Sequence, residues 1–358
     1  MRAPSAITVV PAAPDDRPAW DAFVAACPQG DVLQAWAWGD VVRIRGERAE
    51  RLVARGADGT IRGLAQVLVR PTLLGHTVLY APHGPLWERG AADGAAVLAA
   101  LLDGLAAMAR AERGIVVKVD PRGDGATEAD LEALRAELGR LGLRPTRRYL
   151  QAPTTQVIPL LDGGEALRAT WHSDARRNVN RAGREGVVTS VTRDADPAPI
   201  GTFHDLLTET AERGGFRGRS VAFLQQVADA FAPAGGWYLC LARKGDRAIG
   251  GMVILRVGDR GYYLYGASTR DPAMKHAHPG YAAMAGVMAA LAADGARELD
   301  AWGVADVGSE EAESWTGFSF FKQRFGGDQV HHAGTFDLVI SPPWYALRDL
   351  RERLLSRS

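Results

Sequence analysis

Only four of the 42 basic residues are lysines: Lys118, Lys244, Lys275 and Lys322. Where arginine is the default cation, a retained lysine points to a site wanting a compact, flexible ammonium rather than a planar guanidinium. Lys322 stands in Phe320-Phe321-Lys322-Gln323-Arg324-Phe325-Gly326-Gly327, a context that could hold an ammonium at the edge of a pocket or place an ordinary lysine at a helix end. A second group follows a helical segment: Arg213, then Gly214-Gly215-Phe216-Arg217-Gly218-Arg219. Arginine grips phosphate oxygens in bidentate fashion and glycine lets backbone N–H groups approach, so this stretch suits a diphosphate. It also reads as a helix C-cap with arginines complementing the dipole. Asp120 closes a strand before Pro121, as a site residue or a turn former. Tyr263 and Tyr265 share one strand face under period-two alternation, with Tyr262 opposite. Arg177, Arg181 and Arg184 share one helix side that could contact RNA phosphates or be a solvated face.

The elements that must position these groups come in two sets. Sliding residues 54–63 by 188 positions lays them over 242–251, matching Ala54/Ala242, Arg55/Arg243, Asp58/Asp246, Ile61/Ile249 and Gly63/Gly251. Each window reads as a hairpin. Two helical segments precede each, over 16–26 and 34–44 and over 200–213 and 220–231. A strand follows each, Val78–Tyr80 and Tyr262–Tyr265, then an alanine-rich helix, 91–113 and 280–294, then a strand, Ile115–Val119 and Glu298–Trp302. This is the element order of a GNAT-type acyltransferase domain, occurring twice. We expect two tandem α/β domains with mixed twisted sheets flanked by helices: residues 1–151 completed by 333–358, and residues 152–332. A strand Thr335–Ile340 and a helix Trp344–Leu355 form the tail.

Bulk properties exclude several classes. The net charge is zero, so contact with a polyanion must come from a local basic patch. Cys27 and Cys240 lack metal-ligand spacing, arguing against a zinc site and for a reducing compartment. No signal-peptide core is evident, and the apolar run 95–107, broken by Asp103, falls short of a membrane span. The expected location is the cytoplasm.

Six motifs in order resemble the Fem family of non-ribosomal aminoacyltransferases, which build peptidoglycan cross-bridges. They are Leu33-Gln34-Ala35-Trp36-Ala37-Trp38-Gly39, Tyr80-Ala81-Pro82-His83-Gly84-Pro85 (with His83 for the usual arginine), Val117-Lys118-Val119-Asp120-Pro121, the basic stretch Arg176–Ala182 with Gly186-Val187, Thr210–Phe216, and Phe321-Lys322 with Phe325-Gly326-Gly327. The resemblance implies transfer of an amino acid from aminoacyl-tRNA, the co-substrate, to an amine on a stem peptide, carried by UDP-MurNAc-pentapeptide or lipid II. No further cofactor or metal is implied, a lipid-linked acceptor would bring peripheral membrane association, and the short chain resembles the monomer-like branch without a coiled-coil arm. Lys322 would stabilise the oxyanion or the terminal ribose and phosphate of the tRNA, and Phe321 would line the acyl pocket. Asp120 would take the amine's proton or orient the amine. Arg213 and Arg217 would hold the diphosphate, and Tyr263 or Tyr265 would bond the stem peptide. Trp38 belongs to the opening motif. Where relatives carry a lysine just after it, this chain has Val42 and then Arg43, which puts that acceptor-phosphate contact in doubt.

Three rivals remain. A CoA-dependent GNAT enzyme cradles pyrophosphate in a glycine-rich loop entering a helix, and Gly266 to Gly280-Tyr281 is too sparse in glycine for that. A small-molecule metabolite could take the aminoacyl group. A non-catalytic binding protein is disfavoured by Lys322.

Overall fold

The computed structural model describes residues 7–43, 47–146, 148–161, 164–215, 217–305 and 319–355. The chain divides into two compact units, residues 1–153 with 331–358 and residues 154–330. Each is a mixed sheet flanked by helices.

Unit 1 runs β1 (Thr8–Pro11), α1 (Arg17–Ala26), α2 (Trp36–Arg43), the hairpin β2 (Arg48–Arg55) and β3 (Ile61–Pro71), β4 (Thr77–Ala81), β5 (Leu86–Trp87), α3 (Gly94–Ala111), β6 (Gly114–Val119), α4 (Glu128–Arg140) and β7 (Arg144–Pro145). All sheet neighbours are antiparallel except β4 and β6, which the crossover helix α3 makes parallel. The tail returns here: Phe336–Val339 lies antiparallel between β6 and β7. In α3, Leu98, Leu101 and Leu105 fall on one face and are fully buried against the sheet. This helix has 18 residues and by length and composition alone is long and apolar enough to cross a membrane, unlike the shorter run 95–107. Its buried leucines make it a core helix of this unit.

Unit 2 runs β8 (Thr154–Pro159), α5 (Gly164–Thr170), α6 (Ser173–Arg184), β9 (Val187–Thr192), α7 (Pro197–Gly214), α8 (Val221–Phe231), β10 (Trp237–Lys244), β11 (Arg247–Val257), β12 (Arg260–Ser268), α9 (Pro279–Ala293), β13 (Glu298–Gly303), a short helix α10 over 319–323, and β14 (Asp328–His331). Its strand order is β14-β8-β13-β12-β11-β10-β9; β12 and β13 are parallel, and the pairs β8–β13, β12–β11, β11–β10 and β10–β9 are antiparallel. The two-helix, hairpin, strand, helix, strand order thus occurs in both units, as the sequence predicts. Among the described residues no helix exceeds 18 residues, α3 and α7 being the longest.

The duplication holds in detail with one correction. Both hairpins carry a bulge at the aligned positions, Ala54/Arg55 and Ala242/Arg243. Ala54 faces Gly63, but Ala242 faces Gly250, so the second arm is one residue out of the ungapped match. Gly63, not paired with Gly251 after all, stands where Gly250 does. A one-residue slip would turn every side chain to the other face, and the packing agrees with the shift. A Cβ on Gly63 would meet Val97 of α3 at 2.7 Å, and one on Gly250 would meet Pro279 of α9 at 2.8 Å.

Candidate active site

In unit 2, β12 and β13 pair only through Arg260/Glu298, Gly261/Leu299 and Tyr262/Asp300, and then part. Trp302 enters the left-handed region at φ 65°, unusual for a bulky residue, and the β13–β8 register breaks across it. Beside the unpaired end of β12 opens a cleft of ≈ 570 Å³. Its walls come from the end of α7 (Thr210, Arg213), from β11 and β12, from the start of α9 and from Phe321.

Lys322 does not sit at a pocket edge as its sequence context suggests. It is 1% exposed, its Nζ donates to the Gly303 carbonyl at 2.7 Å, and it lies 5.3 Å from the centroid of the Tyr263 ring, itself a cleft wall. Burial, only partly offset by Asp300, pushes its pKa down to about 7. α10 turns consecutive residues apart, so Phe321 faces the cleft while Lys322 points into the interior. Phe321 meets Tyr281 and Phe325 edge-on, at centroid distances of 5.1 and 5.5 Å.

Tyr263 and Tyr265 do not share a face. β12 has an extra residue, Leu264, where Tyr263 faces Ile254 and Tyr265 faces the adjacent Val253. A bulge of this kind reverses the alternation beyond it. Tyr263 is therefore buried in the core beside the cleft, whereas the Tyr265 hydroxyl accepts a bond from Arg219 Nε at 3.0 Å. Gly266 makes room for Tyr263, since a Cβ there would stand 1.8 Å from its hydroxyl.

Arg213 is exposed at the cleft, donating to the carbonyl (3.3 Å) and Oγ (3.2 Å) of Ser268 and so tying α7 to the end of β12. Gly215, at φ 66°, is the left-handed cap of α7. Arg217 is exposed, and Phe216 lies outside the described residues. On α6, exposed Arg177 pairs with Asp174 at 2.6 Å. The charges of Arg177 and Arg181, after burial, depress the pKa of His278 on the cleft wall. Arg184 instead lines a separate groove.

Unit 1 collects the first three motifs around one buried polar network. Asp120 is 5% exposed at the end of β6. It accepts from the Tyr80 hydroxyl and from the His83 N–H, both at 2.6 Å, and Gln151 Nε2 donates to Tyr80 at 3.1 Å. Burial outweighs these donors and raises the Asp120 pKa to about 6. The turn supplying the His83 N–H is held from all sides. Gln34 Nε2 donates to the Pro82 carbonyl at 2.7 Å, and a Cβ on Gly84 would collide with Gln34. His83 Nδ1 lies 2.9 Å from Asp31 Oδ2, which also accepts from Arg122 Nη1 at 2.7 Å. Arg122 is fully buried and forks onto Asp124 at 2.6 and 2.9 Å. Burial alone would raise the Asp31 pKa, but His83 and Arg122 hold it down at about 2. His332, its Nδ1 accepting from Gly123 N–H at 3.0 Å, is driven well down by burial and by Arg122 and His83. Trp38 is half-buried against the small cluster containing Tyr80, and exposed Arg43 donates to the Ala49 carbonyl at 3.2 Å.

Sequence reasoning missed Asp31, Arg122, Asp124 and His332 here, and His278 and Ser268 in unit 2. The signal for the first group was Asp120-Pro-Arg-Gly-Asp124, alternating charges in a Pro/Gly loop at a strand's carboxyl end. Nothing local marked His332.

Two mixed sheets of the same element order, the second with parallel strands that part beside a cleft, define a tandem GNAT-type acyltransferase fold, and a family model described as "Acetyltransferase (GNAT) domain" matches residues 171–311. A Lipid II:glycine glycyltransferase of Staphylococcus aureus (strain MRSA252) is 25% identical across 91% of this chain and 92% of its own length. The solved structure "Crystal structure of FemX" superposes with a TM-score of 0.83 at 22% identity, covering 95% of this chain and 99% of that one. The structure of L-PGS from Bacillus licheniformis shares the fold at a TM-score of 0.56 and 13% identity, over 92% of both chains. Over nearly its whole length the chain is thus similar to Fem-type peptidoglycan-bridge transferases.

Proposed function

We propose that this enzyme moves an amino acid from aminoacyl-tRNA to the side-chain amine of a stem peptide on lipid II. The observation carrying the acceptor is the nearly end-to-end likeness to lipid II:glycine glycyltransferases. An aminoacyl ester is already activated, so the protein has only to hold an amine against it and stabilise the tetrahedral oxyanion. In this reading the unit 2 cleft takes the aminoacyl end of the donor. Phe321 lines it, Arg213 at its wall meets the acceptor's diphosphate, and the Lys322 ammonium lends positive potential from behind Tyr263. Arg177 and Arg181 attract the RNA towards the rim.

One feature disfavours the CoA rival. A pyrophosphate would need free amides at the start of α9. Residue 279 is proline, and the N–H groups of Tyr281 and Ala282 return to the His278 carbonyl at 3.1 and 3.2 Å. Only Gly280 in that first turn is left to present an amide.

The test is a transfer assay with radiolabelled aminoacyl-tRNAs and lipid II, with UDP-MurNAc-pentapeptide and acetyl-CoA in parallel arms. Label passing from tRNA to lipid II is expected. Acetyl transfer from CoA without transfer from tRNA would overturn the donor, and exclusive use of the UDP-linked peptide would overturn the lipid-linked acceptor.

A further inference from the structure

A second groove in unit 2, ≈ 590 Å³, shares no lining residue with the cleft and lies between α6, β9 and α9. Its floor is cut by small residues: Gly183 on α6, and Ala282, Ala285 and Gly286 on α9. Gly286 is required for this depth, since a Cβ there would stand 2.7 Å from Thr189 Oγ1. Two cations line it. Arg168 is anchored by its bond to Asn180 Oδ1 at 2.5 Å, and Arg184 is exposed. Among the described residues no carboxylate lines the groove. The nearest in sequence, Glu185, is engaged by Lys244 at 3.0 Å. A concavity walled by one sign of charge concentrates counter-charge. No aromatic side chain lines it either, among the described residues, so it offers no platform for base stacking. Along α6 the arginines continue through Arg181 to Arg177, roughly 10 Å of helix, and the charges of both reach His278 on the cleft wall.

We propose that this groove anchors the phosphodiester backbone of an RNA strand whose 3′ end occupies the cleft, with Arg168 and Arg184 as its phosphate ligands. The inference rests on the tRNA-donor reading above. Small residues let the sugar-phosphate chain approach, Arg181 bridges the groove to the cleft rim, and the contact is independent of base sequence. The groove thus adds affinity for the body of the donor without touching its reactive end.

The probe is an acceptor-stem RNA hairpin ending in single-stranded CCA, with Kd measured against salt concentration. For the Arg168→Ala/Arg184→Ala double variant, the slope of log affinity against log salt is expected to flatten by about 1.5 to 2. The Arg168→Lys/Arg184→Lys variant should keep most of the slope, which separates lost phosphate contacts from lost structure. An unchanged slope in the alanine variant would overturn the groove while leaving the tRNA donor intact. Failure of the wild type to bind the hairpin at all would overturn the donor reading and the groove with it. Stabilisation of the wild type but not the alanine variant by inorganic phosphate, with no change in slope, would make the groove a small-anion pocket and overturn the proposal.

Discussion

At the scale of single residues, two buried titratable groups set testable behaviour. Lys322 has a folded pKa of about 7, below its unfolded value of about 10.4. Over that window the unfolded chain binds the extra proton, so the stability this group withholds at low pH is recovered as pH rises from 7 towards 10. Replacing Lys322 by Met should therefore raise the melting temperature relative to wild type more at pH 6.5 than at pH 9. A gap independent of pH would mean that the ammonium is not held against its burial. For activity, Lys322→Ala and Lys322→Arg should each lower turnover by roughly two orders of magnitude, because a planar fork cannot fit where a point ammonium meets the Gly303 carbonyl. Asp120, at about 6, should give an acid limb in the pH profile of kcat/KM that Asp120→Asn removes. The His83 imidazolium, facing Asp31, Asp120, Arg122 and His332, favours the ionised carboxylate. His83→Gln should move that limb to higher pH, and a profile that only shrinks without shifting would leave His83 with a purely structural role.

Elements, rather than residues, decide which way these side chains point. The extra residue in β12 sends Tyr263 and Tyr265 to opposite faces, and no period-two reading could have found it. A bulge depends on how the partner strand registers, which local sequence does not encode. Gly266 exists to accommodate the Tyr263 hydroxyl. Gly266→Ala should raise the donor KM or lower kcat by roughly tenfold or more through displacement of that ring, read by steady-state kinetics with little change in melting temperature. Gly327 plays the structural counterpart. Its φ is 77° and a Cβ would stand 2.1 Å from the Val157 carbonyl oxygen. Gly327→Ala should cost about 1–3 kcal/mol in urea unfolding, so an unchanged midpoint would show that β8 can give way.

At the scale of the whole molecule, the chain leaves unit 1, builds unit 2 and returns. The last strand, Phe336–Val339, fills the place between β6 and β7, and Lys118 pairs with Asp337 at 2.6 Å, a buried ion pair spanning 219 positions. Deleting residues 334–358 should strip β6 of a neighbour and leave that lysine uncompensated. Loss of cooperative unfolding or of soluble expression is the expected result. A truncated chain with wild-type melting would show the return strand to be dispensable.

The sequence by itself determined the repeated element order, because hydrophobic periodicity and Gly/Asp turns are local signals and each unit satisfies them in the same order. It also marked Gln34, His83 and Asp120 as three motif residues far apart in the chain. Only the tertiary structure decided that they meet, with Asp31, Arg122 and His332, in one buried network. Only it showed that Lys322 turns inward to a carbonyl while its neighbour Phe321 lines the cleft. Both outcomes are set by burial and by long-range register. A buried charge takes its pKa and its partner from atoms that lie tens to hundreds of positions away, so no window of sequence contains them.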